Sequence, residues 1–262
     1  ELVIPPMSQI PRLSQTGTAS CTIPSKPPAA PTGAFPYFSY SQYQSYCRNW
    51  MDVIAAALIC GHTKVVIHQI LEDCDPRRLF PDIPSNGQGM HDLSHNMNST
   101  STLQTPWLMM QQIFASEVAY LLHRLDSVKE DAQSTFLDNT LVWWGSDHGM
   151  NSGYRGDYAH NYMDMPVLLA GGTNFLNTGR FIDYRSVNPA KYNFIQVGRP
   201  INQLLTTIMG AMGLAPEEWQ KGSTAGYGEY SQSTAATVWV ANTQLNYNTF
   251  DKSTFLPNVL KG

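Results

Sequence analysis

The sequence predicts an α/β protein with a layered sheet and flanking helices. Its 262 residues are enough for one large α/β domain or two small ones. Hydrophobic residues make up 42% of the chain, which suits a globular core. Segments with apolar residues at helical spacing alternate with short apolar runs, and this order is typical of α/β sheets. In such sheets the chemistry gathers where loops leave the carboxyl ends of the strands.

Helices are predicted over residues 41–61, 105–128 and 199–213, where apolar residues recur at helical spacing. Gly61 is expected to end the first of them. Short apolar runs predict strands at 64–71, 140–146 and 165–172, an edge strand at 179–184, and a late strand in "ATVWVA". Residues 72–103 are predicted to form a long polar loop, and a loop of that length in a compact domain is usually functional or disordered.

Composition divides the chain into three regions. Residues 1–36 are rich in proline, serine and threonine, and we expect an extended arm held on the surface by Ile10, Leu13 and Phe35. Residues 37–221 are expected to form the α/β core. Residues 222–262, rich in Ser, Thr, Asn and Tyr, are expected to form a polar extension packed on that core.

The charge balance favours an exported protein without a nucleic-acid partner. Charged residues make up 14% of the chain, against about 25% in average soluble proteins. The net charge is −4 and no basic patch is present for nucleic acid or an anionic membrane. The longest apolar run, residues 53–60, is far too short to span a bilayer. We therefore expect no membrane span and an extracellular or periplasmic location.

The four cysteines do not form a CxxC pair, so a zinc ribbon is a poor interpretation. Cys60 ends an apolar helical run and could simply be buried. In an oxidising compartment the four could form one or two disulfides, whose pairing the sequence does not assign.

Histidine and aspartate are concentrated in loop clusters beside predicted strand ends. These residues are His91, Asp92 and His95 in "MHDLSH", Asp147 and His148 after "LVWWGS", and His160 in "GDYAHNYMDMP". A single histidine in a loop is usually solvated or hydrogen-bonded, but imidazole and carboxylate together suit zinc, manganese, iron or calcium. The three clusters together predict a divalent metal site.

The spacing within each cluster leaves alternatives open. In extended backbone Asp147 and His148 point to opposite sides, so they could serve two metals or one metal and a neighbouring contact. His95 could converge on a metal with either His91 or Asp92. Arg155 could bind an anionic substrate group, although a solvated or salt-bridged arginine is the commoner outcome.

Two of these segments, "NTLVWWGSDHG" and "AHNYMDMPVLLAGG", resemble the late metal-binding part of the alkaline phosphatase and sulfatase superfamily. A closer resemblance is to an exported bacterial family catalogued as domain of unknown function 1552, in the same motif order over about residues 40–215. It is carried by "GHTKVVIHQI", "GMHDLSHNMN", "EVAYLLHRLDSV", "FLDNTLVWWGSDHGM", "MPVLLAGG" and "GRFIDY". The resemblance implies an alkaline-phosphatase-like fold.

The superfamily resemblance also implies metal ligands. Asp147 and His148 would bind one metal of a pair, and His160 would bind the other. The "HDLSH" segment would replace the superfamily's Asp-x-x-x-His element, although Asp92 is only three residues from His95. Zinc is the first expectation, with manganese, iron or calcium as alternatives.

The resemblance covers only the C-terminal part of the superfamily fold. Residues 1–60 contain nothing similar to the superfamily's nucleophile segment, so the nucleophile is expected outside this chain, in an N-terminal fragment or companion chain. The first hypothesis is a metal-dependent hydrolase of an unknown phosphate or sulfate ester. The alternative is a non-catalytic structural or binding component of an extracellular assembly or homo-oligomer. A carbohydrate-binding module with exposed Tyr and Trp is a third and weaker interpretation.

Overall fold

The computed structural model describes residues 24–27, 39–70, 83, 89–96, 101–146, 165–184, 199–220, 237–240, 243–246 and 253–261. These residues form a mixture of helices and short strands, which is compatible with the predicted α/β class. The chain divides into two compact units. The first comprises Glu1–Trp144 and Ser152–Ala159, and the second comprises Gly145–Asn151 and His160–Gly262.

Helix α1 (Tyr40–Ile59) has caps at both ends that its sequence specifies. At the start, the Ser39 hydroxyl accepts from the Gln42 amide while the Gln42 side chain accepts from the Ser39 amide, which is a capping box. At the end, Gly61 adopts a left-handed φ of 68°, and the His62 amide donates to Ala57 O at 2.9 Å. This Schellman motif confirms that Gly61 ends the helix.

Helix α3 (Ser101–Asp126) packs along α1 and forms the core of the first unit with it. The helix starts four residues before the predicted position and therefore contains Pro106, which removes one backbone donor from its second turn. The buried residues of this core are Tyr43, Cys47, Ile83, Leu93, Met110, Ile113 and Phe114. A second buried group further along the two helices contains Met51, Ile54 and Tyr120.

Two ion pairs and a pair of aromatic rings join α1 to α3. The three contacts ascend along both helices: Tyr43–Phe114, Arg48–Glu117 and Asp52–Arg124. Because the order is the same on both helices, α1 and α3 run in the same direction. Long-range charge pairing thus accompanies hydrophobic burial at this contact.

Helix α2 (Met90–Asn96) lies within the segment predicted as a polar loop, so that prediction is wrong for residues 90–96. Leu93 is fully buried in the core of the first unit, and α2 packs against α3. A helix of seven residues is too short to be stable alone. Tertiary packing through Leu93 therefore holds α2 in place.

Strands β1 (Leu141–Gly145) and β2 (Val167–Gly171) confirm two predicted strands. A short 3-10 turn, Phe136–Asn139, precedes β1, and the Thr135 amide donates to the Asp138 carboxylate at 2.7 Å. An apolar run such as "LVWWG" predicts a buried strand, but the residues of β1 are half-buried or exposed.

The second unit contains α4 (Ile201–Ala211), α5 (Pro216–Trp219) and an antiparallel pair, β3 (Thr237–Val240) with β4 (Thr243–Asn246). The predicted helix 199–213 and the strand in "ATVWVA" are confirmed in type and place. The C-terminal residues 253–261 are bonded to this unit: the Leu256 amide donates to Thr207 Oγ1 at 2.7 Å, and Asn177 Nδ2 donates to Leu260 O at 2.6 Å.

Two predicted strands are wrong. Residues 64–70 have no strand structure, and the side chains of Val65 and Ile67 are 72% and 95% exposed. The Thr63 hydroxyl bonds both the amide and the carbonyl of Val65, so a local turn uses the groups that a strand would pair. Residues 179–184 also have no strand structure, and Phe181 is exposed. An apolar run of this length does not by itself specify pairing.

Several segments lie outside the described residues. They include the predicted arm anchors Ile10, Leu13 and Phe35, residues 149–163 and most of the predicted extension 222–262. Within the described part of the chain, no helix is long and apolar enough to cross a membrane.

The core between α1 and α3 predicts a strong contrast between two positions of one helix. Met110 has no exposed surface, whereas Leu108 is 58% exposed. We expect Met110→Ala to cost about 2 to 5 kcal/mol of unfolding free energy, since it leaves a cavity. Leu108→Ala is the control and should change stability by less than about 0.5 kcal/mol. Urea unfolding of both variants measures the difference, and equal costs would show that α3 buries another face.

Candidate functional site

The described structure contains three of the predicted site residues, and all three lie in helix α2. These residues are His91, Asp92 and His95. The other four lie outside the described residues: Asp147, His148, Arg155 and His160. The geometry of a site can therefore be built from α2 and from the end of β1.

Helix α2 brings the "HDLSH" positions onto a single helical turn. With 3.6 residues per turn, positions 91 and 95 come one turn apart on the same side, and positions 92 and 95 are also neighbours. At positions 91 and 95 the structure describes the backbone, while the Asp92 side chain is half-buried. Either of the two predicted ligand pairs is compatible with this helix.

The residue between these positions fixes the helix. Leu93 has no exposed surface and belongs to the core formed by α1 and α3. Its amide donates to Gly89 O at 2.9 Å, which closes the first turn. Asp92, next to this anchor, therefore lies at the border between the core and the surface.

Strand β1 reaches the same core through Trp144. Trp144 is half-buried and packs against the group of buried residues that includes Leu93, while its neighbour Trp143 is exposed. This alternation is typical of a strand with one covered face. Trp144 precedes Asp147 by three residues. The hydrophobic core thus anchors both the "HDLSH" helix and the strand that leads to the Asp-His-Gly segment.

Within the part of the chain that the structure describes, no three His, Cys, Asp or Glu residues form a group that could hold a metal ion. The predicted ligands Asp147, His148 and His160 lie beyond that part.

Sequence reasoning missed a group of charged residues between α1 and α3, of which Glu117 is buried and Arg48, Asp52 and Arg124 are half-buried. Arg124 Nε lies 2.8 Å from Asp52 Oδ1, and the Tyr120 hydroxyl donates to the same oxygen at 2.9 Å. Arg48 Nε lies 3.5 Å from Glu117 Oε2, and its guanidinium lies 4.9 Å from the centre of the Tyr120 ring. The signal was present, because Arg48 and Asp52 are four residues apart on one predicted helix. Asp52 pairs closely with Arg124, whereas Glu117 makes a longer contact with Arg48, so this group belongs to the packing between α1 and α3.

Burial controls the titration of this group. Burial raises the pKa of the Glu117 carboxyl above its usual range, although Arg48 acts in the opposite direction. Burial, together with the nearby Asp52 carboxylate, raises the pKa of Tyr120 to about 12. Tyr120 is therefore a neutral hydrogen-bond donor over the physiological range.

The cysteines have two distinct states. Cys60 is disulfide-bonded, and the other half of that disulfide lies outside the described residues. Cys47 is free and buried, and burial raises the pKa of its thiol to about 11. Cys60 is thus a covalent anchor rather than only a buried residue.

The three histidines outside the predicted site differ in their surroundings. His62 is exposed just after α1, and His123 is buried in α3. The ring of His68 lies 6.5 Å from that of Trp50, but His68 is not in a strand as expected.

No protein-family model, no curated protein and no solved structure matches this chain. The resemblance to the domain of unknown function 1552 family stays a prediction based on the quoted motifs.

The two cysteine states predict a simple labelling result. A thiolate is the reactive form of cysteine, and a buried thiol with a pKa of about 11 forms little of it at pH 8. We expect a maleimide to leave both Cys47 and Cys60 unmodified in the native, unreduced protein. After reduction and unfolding both should react. Peptide mass spectrometry locates the labels, and native labelling of Cys60 would contradict the disulfide.

Proposed function

We propose that this protein is an exported, metal-dependent hydrolase of phosphate or sulfate esters, of the phosphatase and sulfatase type. In this proposal the three His and Asp clusters supply the metal ligands. The core formed by α1 and α3 supports the "HDLSH" helix and strand β1. An alkaline-phosphatase-like arrangement, of which these residues represent the C-terminal part, is the finer fold that goes with it.

The observation that supports this proposal best is that one hydrophobic core contacts both the "HDLSH" helix and Trp144 of strand β1. Leu93, in the middle of "HDLSH", and Trp144, three residues before Asp147, belong to one hydrophobic group. Three residues of extended chain span at most about 11 Å. Ligands on short connections from a rigid core can be held with little loss of entropy, which is how functional loops are usually supported.

The proposed ligand set follows the motifs. Asp147 and His148 would hold one metal, and His160 with two residues of "HDLSH" would hold the other. Zinc fits this mixture of imidazole and carboxylate best, with manganese, iron or calcium next. Such metals polarise an ester oxygen and lower the pKa of an attacking hydroxyl. Arg155 would bind the anionic group of the substrate through its paired N–H donors.

Two observations support the exported location. Cys60 is disulfide-bonded, and structural disulfides persist in oxidising compartments. The chain also has only 14% charged residues.

The metal assignment is tested by elemental analysis of natively purified protein with any chain that co-purifies. We expect about two divalent ions per chain, as in two-metal hydrolases. His148→Ala should lose at least one of them. His62→Ala is the matched control, because His62 is exposed and outside the three clusters. If His148→Ala has the same metal content as wild type, His148 is not a metal ligand.

Activity separates the hydrolase from its alternative. We expect the metal-loaded protein, together with the N-terminal fragment or companion chain that supplies the nucleophile, to cleave p-nitrophenyl phosphate or p-nitrophenyl sulfate and to stop after chelation. Stoichiometric metal without turnover of either ester would favour the non-catalytic component of an extracellular assembly. Absence of stoichiometric metal would contradict the metal-dependent hydrolase. It would also contradict a non-catalytic component that binds metal.

A further inference from the structure

We propose that Glu117 keeps a proton in the folded protein and that loss of this proton weakens the contact between α1 and α3. The pair of helices would then contain a pH-sensitive element, independent of the proposed metal site. Glu117 is the only acidic residue with no exposed surface among the described residues.

The hydrogen bonds around Glu117 suit a carboxylic acid better than a carboxylate. Ser116 Oγ lies 3.1 Å from Glu117 Oε1 and 2.7 Å from Ile113 O. A serine hydroxyl has one hydrogen, and the shorter contact to a carbonyl oxygen takes it. Two oxygen acceptors would then face each other unless Glu117 supplies the hydrogen. A protonated Glu117 donates to Ser116 Oγ and completes this chain of bonds.

The partner of opposite charge compensates Glu117 only weakly. The 3.5 Å between Arg48 Nε and Glu117 Oε2 exceeds the usual 2.7 to 3.2 Å of an N–H···O bond. Glu117 Oε2 has no hydrogen-bond partner among the described residues. The Arg48 side chain is 22% exposed and its guanidinium lies over the Tyr120 ring. Arg48 Nε is buried, but the exposed part of its side chain and the ring contact stabilise the arginine, whereas the carboxylate of Glu117 would have no exposed surface.

The other groups that face Glu117 carry no compensating charge, although Gln44 and Ser116 form hydrogen bonds with its carboxyl. From α1 these are Tyr43, Gln44 and Cys47, and from α3 Ser116. Burial raises the pKa of the Glu117 carboxyl despite the opposing effects of Arg48, Ser116 and Gln44. Asp52 and Arg124 neutralise each other further along the helices.

The sign of the pH dependence follows from linkage. A carboxyl whose pKa is higher in the folded than in the unfolded state binds its proton more tightly when folded. Its contribution to stability is complete below the ordinary glutamate pKa of about 4.3 and is lost as the pH rises through the folded pKa.

The test compares melting temperatures of wild type, Glu117→Gln and Glu217→Gln between pH 4 and pH 9. Glutamine keeps the shape of a neutral glutamic acid, and Glu217, exposed in α5, is the matched control. We expect wild type to melt progressively lower than Glu117→Gln as the pH rises, with a difference of several degrees at pH 8. Glu217→Gln should follow wild type. Parallel curves for wild type and Glu117→Gln would overturn the proposal.

A second measurement applies to the wild-type protein, so it does not depend on the folding of a variant. Infrared spectroscopy distinguishes a protonated carboxyl from a carboxylate. At pH 6, where carboxyls of ordinary pKa are ionised, we expect one protonated carboxyl band that disappears at higher pH. A spectrum with carboxylates alone at pH 6 would contradict a retained proton.

Discussion

The parallel contact of α1 with α3 is the constraint on which the rest of the first unit depends. Hydrophobic burial holds the two helices together, since Met110, Ile113 and Phe114 of α3 pack with residues of α1. Hydrophobic contact has little directional preference, but charge does. In the observed direction Arg48 meets Glu117 and Asp52 meets Arg124. An antiparallel arrangement would bring like charges together, so the order of charges selects one direction from two.

The pair of helices α1 and α3 supports the two segments, α2 and β1, from which the candidate site is built. Helix α2 is too short to fold alone and is held by Leu93, while the last part of β1 is held by Trp144 on the same core. A change in the α1–α3 contact would therefore reach both segments through packing. Functional side chains at the border of a rigid core are common in proteins, because the core supplies order and the border supplies access.

The sequence predicts the long elements well because their signals are local. Apolar spacing locates α1, α3 and α4, and the left-handed Gly61 marks the end of α1. The capping box is also visible in the sequence, where Ser39 is followed three residues later by Gln42. Residues 64–70 and helix α2 were mispredicted because tertiary packing decides them: exposed Ile67 and buried Leu93 look alike in sequence. The partners of Arg48 and Asp52 lie about 70 residues away, and helical periodicity does not give that register.

For the site, the sequence places "HDLSH" beside a strand end, whereas its helical backbone depends on Leu93.

The two ion pairs of the helix contact have different physical roles. Asp52 is partly exposed, lies 2.8 Å from Arg124 and also accepts from Tyr120, so its charge is both hydrated and bonded. Glu117 has no exposed surface, and its carboxylate lies 3.5 Å from Arg48 Nε. The free energy lost by burying its charge therefore exceeds the free energy gained from the contact with Arg48. The parallel direction of α1 and α3 therefore depends chiefly on the ion pair of Asp52 with Arg124, because this pair is still present when Glu117 is neutral. Separate residues can thus specify the direction of the helices and tune their stability with pH, because Asp52 and Arg124 form the shorter ion pair while Glu117 exchanges a proton within the core.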